Sequence, residues 1–398
     1  MKIIILSCGE DKGLWPLSNE ARSKQYLQLL TSPDGSRESL MQRFARHIAE
    51  AGIDAGIVIA TTAAQKDPAE SQFGSRADVV LVPESRGTFA ATALAAAYIR
   101  QHSSGNEAVV VIPADLDTEP AFFTALADMA QAITDRKAEV AQMTTNSGSE
   151  IFALGLDCTE KLTSRYIPSP AYETVRDRYD ALPRNTLGDE IAAQACPALR
   201  FTYDGKCRRL DTWADFTEEM PAGATGRAIV GENVANTHII NELDIPLICL
   251  GTQDVVVAAS PDGILVSDKK AASRLNGYAG QLTARPMYEE RRWGTYKVMG
   301  VNEFPDGGKA LTKLLHLKPG CHISYQYHNQ REEIWTFVDG EGRLIIDGEE
   351  IRAVRGYVAH IKAGQKHTVY ALTDLRIIEV QIGKELIEED IVRLDWKW

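Results

Sequence analysis

Gln326, His328, Glu333 and His367 are the side chains of this sequence best equipped for chemistry. Gln326 and His328 form a Gln-x-His pair. Side chains alternate along a strand, so the two project from one face. Glu333 follows five residues after His328, and Gly340 closes that run. His367 arrives one hairpin later, after Gly356 and Gly364. Two imidazoles, a carboxylate and an amide oxygen make an N/O donor set suited to Zn²⁺ or a similar divalent cation. The plainer alternative is a pair of β-hairpins with polar tips.

Such a set needs a stiff β framework around it. From 285 onward the chain is β-rich, with turn residues at Pro305, Gly308, Pro319, Gly320, Asp339, Gly342, Asp347, Gly348 and Gly364. Short strands punctuated by Gly and Asp suit a small barrel or jelly roll. The N-terminal part reads differently. An apolar strand over 2–7 leads into a loop over 8–13. A helix over 39–51, strands over 56–61 and 79–83, an Ala-rich helix over 88–101 and a strand over 108–113 follow. Alternating strands and helices predict a doubly wound parallel sheet, and the last strand delivers Asp115 to the edge where such sheets bind ligands. The pattern weakens over 144–211. Short β-like runs recur over 226–270, a helix is expected over 270–282, and 283–290 reads as a linker. The expected divisions are therefore 1–225 (α/β), 226–284 (β-rich connecting segment and helix) and 285–398 (barrel).

The chain has 398 residues and a net charge of −12 spread along its length. That argues against nucleic acid or an anionic membrane as a partner. A small phosphorylated substrate remains compatible, since a local cationic pocket suffices to hold it. Six scattered cysteines without a C-x-x-C give neither a disulfide framework nor a thiolate zinc site. The first apolar run is too short for a signal peptide, and no run reaches membrane-spanning length. A reducing cytoplasm is the expected location.

The C-terminal spacing resembles the cupin superfamily. Gly320, Gln326-x-His328, Glu333 and Gly340 match its first motif, with Gln in place of the first His. Gly356, Lys362-x-Gly364 and His367 match its second, with Lys in place of Pro. The resemblance is closer to the bifunctional mannose-1-phosphate guanylyltransferase/mannose-6-phosphate isomerase family. The matching runs are Arg292-Trp293-Gly294-Thr295-Tyr296, the stretch from Ser324 to Trp335, Ile378-Glu379-Val380-Gln381-Ile382-Gly383, and Glu388 to Arg393. Ile334 stands where the family has a His.

The N-terminal part is similar to the same family's nucleotidyltransferase domain in a degenerate form. Leu14-Trp15-Pro16-Leu17-Ser18 and Lys24-Gln25 match its phosphate loop, but that loop has lost two of three glycines and its Arg. Gly9 is kept, and Glu10 and Asp11 bring negative charge. Glycines let backbone N–H groups approach a triphosphate. Lys12 is a partial substitute for the Arg, since Lys lacks the guanidinium fork. Arg86 and Thr88 match a further element, with Gly87 replacing its Asn. Asp115 matches the first metal-binding Asp. The second falls on Arg209, with Asp211 as a shifted substitute. The middle region is shorter than the family norm.

The resemblance implies an α/β nucleotidyltransferase-like (Rossmann-like) domain, a β-rich connection and a cupin barrel. It implies interconversion of mannose 6-phosphate and fructose 6-phosphate, with guanylyl transfer lost, in GDP-mannose supply for surface polysaccharide. The metal ligands would be Gln326, His328, Glu333 and His367. Arg331, Lys313, Arg292 and Arg393 are candidate cations for the phosphate or enediolate, Arg331 foremost. Glu332 and Glu388 are candidate proton shuttles. Gly9, Lys12, Lys24, Arg86 and Asp115 are the nucleotide-site candidates, and Mg²⁺ and GTP are implied only if that site works. A homodimer is expected. The alternatives are an enzyme that keeps both activities, a non-catalytic sugar-phosphate or nucleotide binder, and a cupin acting on another sugar phosphate.

Overall fold

A computed structural model describes residues 1–9, 12–103, 105–149, 151–387 and 390–398. Two compact units divide it, Met1–Thr283 and Ala284–Trp398.

The first unit is built on a seven-stranded sheet. Strand Lys2–Ser7 is central, parallel to Gly56–Thr61 on one side and Ala108–Pro113 on the other. Ala77–Leu81 forms one edge. Ile151–Gly155 runs antiparallel between Ala108–Pro113 and Val140–Thr144, and Ala198–Thr202 forms the far edge. The apolar run at the start of the chain reflects burial on both faces. Ile4 packs with Val58, Phe89 and Val111 on one side, while Ile3 and Ile5 pack with Phe44, Phe73 and Phe122 on the other.

Helix Thr88–Gln101 covers the first of these faces and is itself covered by helices Leu156–Thr163, Tyr172–Asp177 and Leu187–Ala193. Those three come from the stretch whose periodicity is weakest. A helix enclosed this way carries no polar stripe, which accounts for its alanines. Helix Leu40–Glu50 starts at a Ser39 capping box with Gln42. It lies on the opposite face with Pro120–Thr134.

The β-like runs after 220 form a short parallel coil. Gly223–Gly226, His238–Asn241 and Val255–Ser260 stack in parallel, and Ala228–Val230 stacks on Leu247–Cys249. Ile240, Val256 and Ala258 join Leu14, Leu17, Trp213 and Phe216 in a separate apolar cluster. The single helix expected over 270–282 is instead two short turns, Ala271–Arg274 and Asn276–Ala279. Gly277 and Gly280 lower the helix propensity there.

The second unit is a β-barrel of two antiparallel sheets sharing one core. Residues facing inward on the larger sheet stack in rows. Leu317 opposes Leu375, Leu315 opposes Ile377, Lys313 opposes Glu379, and Leu311 opposes Gln381. Strand Arg331–Asp339 continues these rows with Phe337, Trp335 and Glu333. The barrel interior is thus apolar at one end and polar at the other.

Candidate functional site

Alternation along Arg331–Asp339 turns Arg331, Glu333, Trp335 and Phe337 inward. His328 follows strand Tyr325–Tyr327, and His367 opens strand His367–Ala371. One donor atom each from His328, Glu333 and His367 lies within 4.8 Å of the others, and all three residues are buried. The His328 Nε2 stands 3.2 Å from one Glu333 oxygen, and the His367 Nε2 stands 3.5 Å from the other.

The tautomers follow from the hydrogen bonds. His328 Nδ1 contacts the Asp390 carbonyl and His367 Nδ1 contacts the Gln365 carbonyl. A carbonyl only accepts, so each Nδ1 carries a hydrogen, and in the neutral ring each Nε2 presents a lone pair. Both Nε2 atoms are buried without a hydrogen-bond partner among the described residues. Burial holds His328 below its ordinary imidazole pKa against the opposing pull of Glu333, which favours the neutral ligand form. Burial also opposes charge on Glu333; hydrogen bonding from His367, and the positive charge of Arg331 and of either imidazole when protonated, outweigh it and keep the carboxylate ionised. In the neutral form of both rings, lone pairs from three buried donors converge with no proton between them, an arrangement that a cation resolves. Donors about 2.0–2.1 Å from a tetrahedral Zn²⁺ stand roughly 3.3 Å apart, close to the two imidazole–Glu333 separations of 3.2 and 3.5 Å.

The structure brings together three of the four expected ligands. Gln326 lies directly across from His367 and so shares its face, while its amide oxygen accepts from Ser324 Oγ at 2.6 Å. Arg331 is buried, with Nε on Glu333 at 3.1 Å and Nη1 on the Ile387 carbonyl at 2.8 Å. Its guanidinium fixes Glu333, which departs from the phosphate role expected for it. Lys313 is buried, its ammonium 4.5 Å from the Tyr296 ring centre. Arg393 and Arg292 are exposed. Glu332 has the parity opposite to Glu333 and pairs with His360 at 2.9 Å on the outside of the sheet. Outward orientation removes Glu332 as a proton shuttle for the barrel interior. Glu388 lies outside the described residues.

Three residues with work in this site received no role from the sequence. Gln381 Nε2 donates to Glu333 at 3.3 Å and to Glu379 at 2.8 Å. Both Gln381 and Glu379 are buried in strand Leu375–Gly383. Their signal was available: they share parity with Leu375 and Ile377 on a strand otherwise apolar at those positions. Asp390 is buried too, and its carboxylate accepts the Asn329 and Gln330 backbone N–H groups at 2.9 and 3.0 Å.

A cavity of about 560 Å³ in the first unit is lined by Gly9, Lys24, Thr88, Asp115, Arg209 and Asp211, among others. Lys12 and Arg86 are directed elsewhere. Lys12 donates to the Leu282 carbonyl at 2.8 Å, and Arg86 donates to the Leu182 carbonyl at 3.0 Å while pairing with Glu84. Burial drives the Cys8 thiol up to about 12, so it stays protonated. Lys24 pairs with Asp211 and lies 3.5 Å from Asp115. Arg209 Nε stands 2.9 Å from Asp115 and 3.0 Å from Asp211. Among the described residues, no helix is long and apolar enough to cross a membrane.

Comparison with known proteins agrees with both units. Residues 2–150 match the nucleotidyl transferase family, and residues 282–396 match the mannose-6-phosphate isomerase C-terminal family. The xanthan biosynthesis protein XanB of Xanthomonas campestris pv. campestris is 22% identical, over 98% of this chain and 97% of that protein. A mannose-1-phosphate guanylyltransferase of Salmonella montevideo is 24% identical, over 99% of this chain and 98% of that protein. Among solved structures, one described as a mannose-1-phosphate geranyltransferase from Thermus thermophilus superposes with a TM-score of 0.55 at 18% identity. It covers 71% of this chain and 99% of its own, and shows the shared fold. With both domains matched in order and relatives aligned end to end, the chain belongs to the mannose-1-phosphate guanylyltransferase/mannose-6-phosphate isomerase family of GDP-mannose and polysaccharide biosynthesis.

Proposed function

We propose that the second unit interconverts mannose 6-phosphate and fructose 6-phosphate, and that the first unit no longer transfers guanylyl groups. The observation that carries the isomerase reading is the pair of unpartnered His Nε2 atoms facing the Glu333 carboxylate at the polar end of the barrel. His328, Glu333 and His367 would hold a divalent cation. When bound, it supplies the Lewis acidity that stabilises an enediolate.

The remaining work falls to side chains. Arg331, Trp335 and Gln381 each donate to Glu333 and fix its carboxylate. Glu379 sits one hydrogen-bonded amide away from Glu333 and opposite Lys313. Its carboxylate takes the proton from C2 of the aldose, the electron pair of the broken C–H bond passes into the enediolate, the hydroxyl proton passes from O2 to O1, and the carboxylate returns its proton to C1 to give the ketose. Lys313 stands across the strand pair from that carboxylate. Arg393 is exposed opposite Gln326 and holds the substrate phosphate at the rim.

The test pairs metal analysis with an isomerase assay on the wild type, His328→Ala and Glu379→Gln. Wild-type turnover should vanish on chelation and in His328→Ala. Glu379→Gln should keep its metal and lose about 10²–10⁴ in kcat. Undiminished turnover by metal-free wild type would reject the reading.

A further inference from the structure

The family resemblance implies Mg²⁺ between two aspartates in the first unit, and the residues present do not fit it. Mg²⁺ binds oxygen ligands in near-octahedral geometry. Asp211 offers one oxygen to Lys24 and the other to Arg209. Asp115 offers its Oδ2 to Arg209 and, more distantly, to Lys24. One carboxylate oxygen of four is left, Asp115 Oδ1, which is buried without a hydrogen-bond partner. Both carboxylates are already paired with cations, so a divalent ion would have to enter beside the Lys24 ammonium and the Arg209 guanidinium.

Arg209 does part of what the metal would do. Its Nε bridges the two carboxylates. Its terminal nitrogens have no hydrogen-bond acceptor among the described residues, and the residue lines the cavity. A guanidinium held by its Nε and open at its fork is a bidentate receptor for phosphate. The unpartnered Asp115 Oδ1 is a matching acceptor for a sugar hydroxyl. The cavity volume of about 560 Å³ falls within the range usual for small-molecule sites.

We propose that this cavity binds a phosphate ester of a nucleoside or sugar without a divalent cation, with Arg209 bridging the aspartates to the phosphate. The proposal extends the view that guanylyl transfer is lost and is independent of the isomerase assignment.

Calorimetric titration of the full chain tests it, in a His328→Ala background so that the second unit does not contribute. The probes are GDP-mannose and mannose 1-phosphate, each in excess EDTA and in millimolar Mg²⁺. At least one probe should bind with affinity equal within about twofold in the two buffers, and its identity tells nucleotide from sugar recognition. Arg209→Ala should weaken that binding by about tenfold or more, and Arg209→Lys should recover it only in part, because Lys restores charge without the fork. Arg209→Gln, which keeps a polar group at this half-exposed position, guards against misfolding as the cause and should weaken binding likewise. Binding that requires Mg²⁺, no binding of either probe at millimolar concentration, or affinity unchanged in the Arg209 variants would overturn the proposal. Pyrophosphate release from GTP and mannose 1-phosphate with Mg²⁺ would separately reject the loss of transfer.

Discussion

Asp390 serves His328 through two different groups. Its carbonyl accepts from His328 Nδ1 and so sets the tautomer, while its carboxylate anchors the two backbone N–H groups that follow His328. Partners of this kind orient metal-ligating imidazoles and tune their basicity. Asp390→Ala keeps the carbonyl but frees the loop. We expect metal affinity to fall by about tenfold to a hundredfold, read by competition with a chromophoric chelator. Unchanged affinity would show that strand pairing alone holds His328. The roles of single residues were unevenly legible in the sequence. His328, Glu333 and His367 stand out because few residue types bind metals. Glu379 and Gln381 sit in the run Ile378–Gly383, yet nothing in their types separates a buried network from a solvated edge. Arg331 reads as a phosphate contact in the sequence, because no spacing rule shows that its guanidinium turns back onto its own strand.

Elements were legible where one periodicity dominates. The strand Lys2–Ser7 and the helix Thr88–Gln101 follow directly from their apolar patterns. Period-two alternation also decides between Glu332 and Glu333, once the inward parity is known from Trp335 and Phe337. The stretch 144–211 was not legible, because its short helices bury their apolar residues against helix Thr88–Gln101 rather than against the sheet. Helix Leu40–Glu50 carries a prediction of its own. His47 is buried on it, with Nδ1 unpartnered. Burial, aided by Arg46 and Arg43, outweighs Glu50 and Glu38 and pushes His47 down to about 4. The unfolded chain, with a pKa of 6.5, takes up this proton first as pH falls. The stability contributed by neutral His47 is thus complete above about pH 6.5 and lost progressively toward about pH 4. Urea midpoints for the first unit should fall over this window more steeply in the wild type than in His47→Gln. Parallel curves would remove His47 as a cause.

At the scale of the whole molecule, the apolar clusters respect the division into two units. Those of the first unit draw on residues up to Ala279, and that of the second begins at Met287 among its contributors. Separate cores should melt as separate transitions in a calorimetric scan. A ligand that binds only one folded unit stabilises only that unit, by about 2.7 kcal/mol at a hundredfold excess over Kd. For a unit the size of Ala284–Trp398, that corresponds to a shift of roughly 10 °C. Chelation of the metal-loaded chain should therefore lower one transition by about that amount. The shifted transition is identified by its absence of response in Glu333→Gln, which removes a ligand. The other transition should ignore both chelator and added Mg²⁺, because Arg209 and Lys24 already pair with the two aspartates lining the first unit's cavity. A Mg²⁺-dependent rise in that second transition would place a divalent cation where the guanidinium now sits.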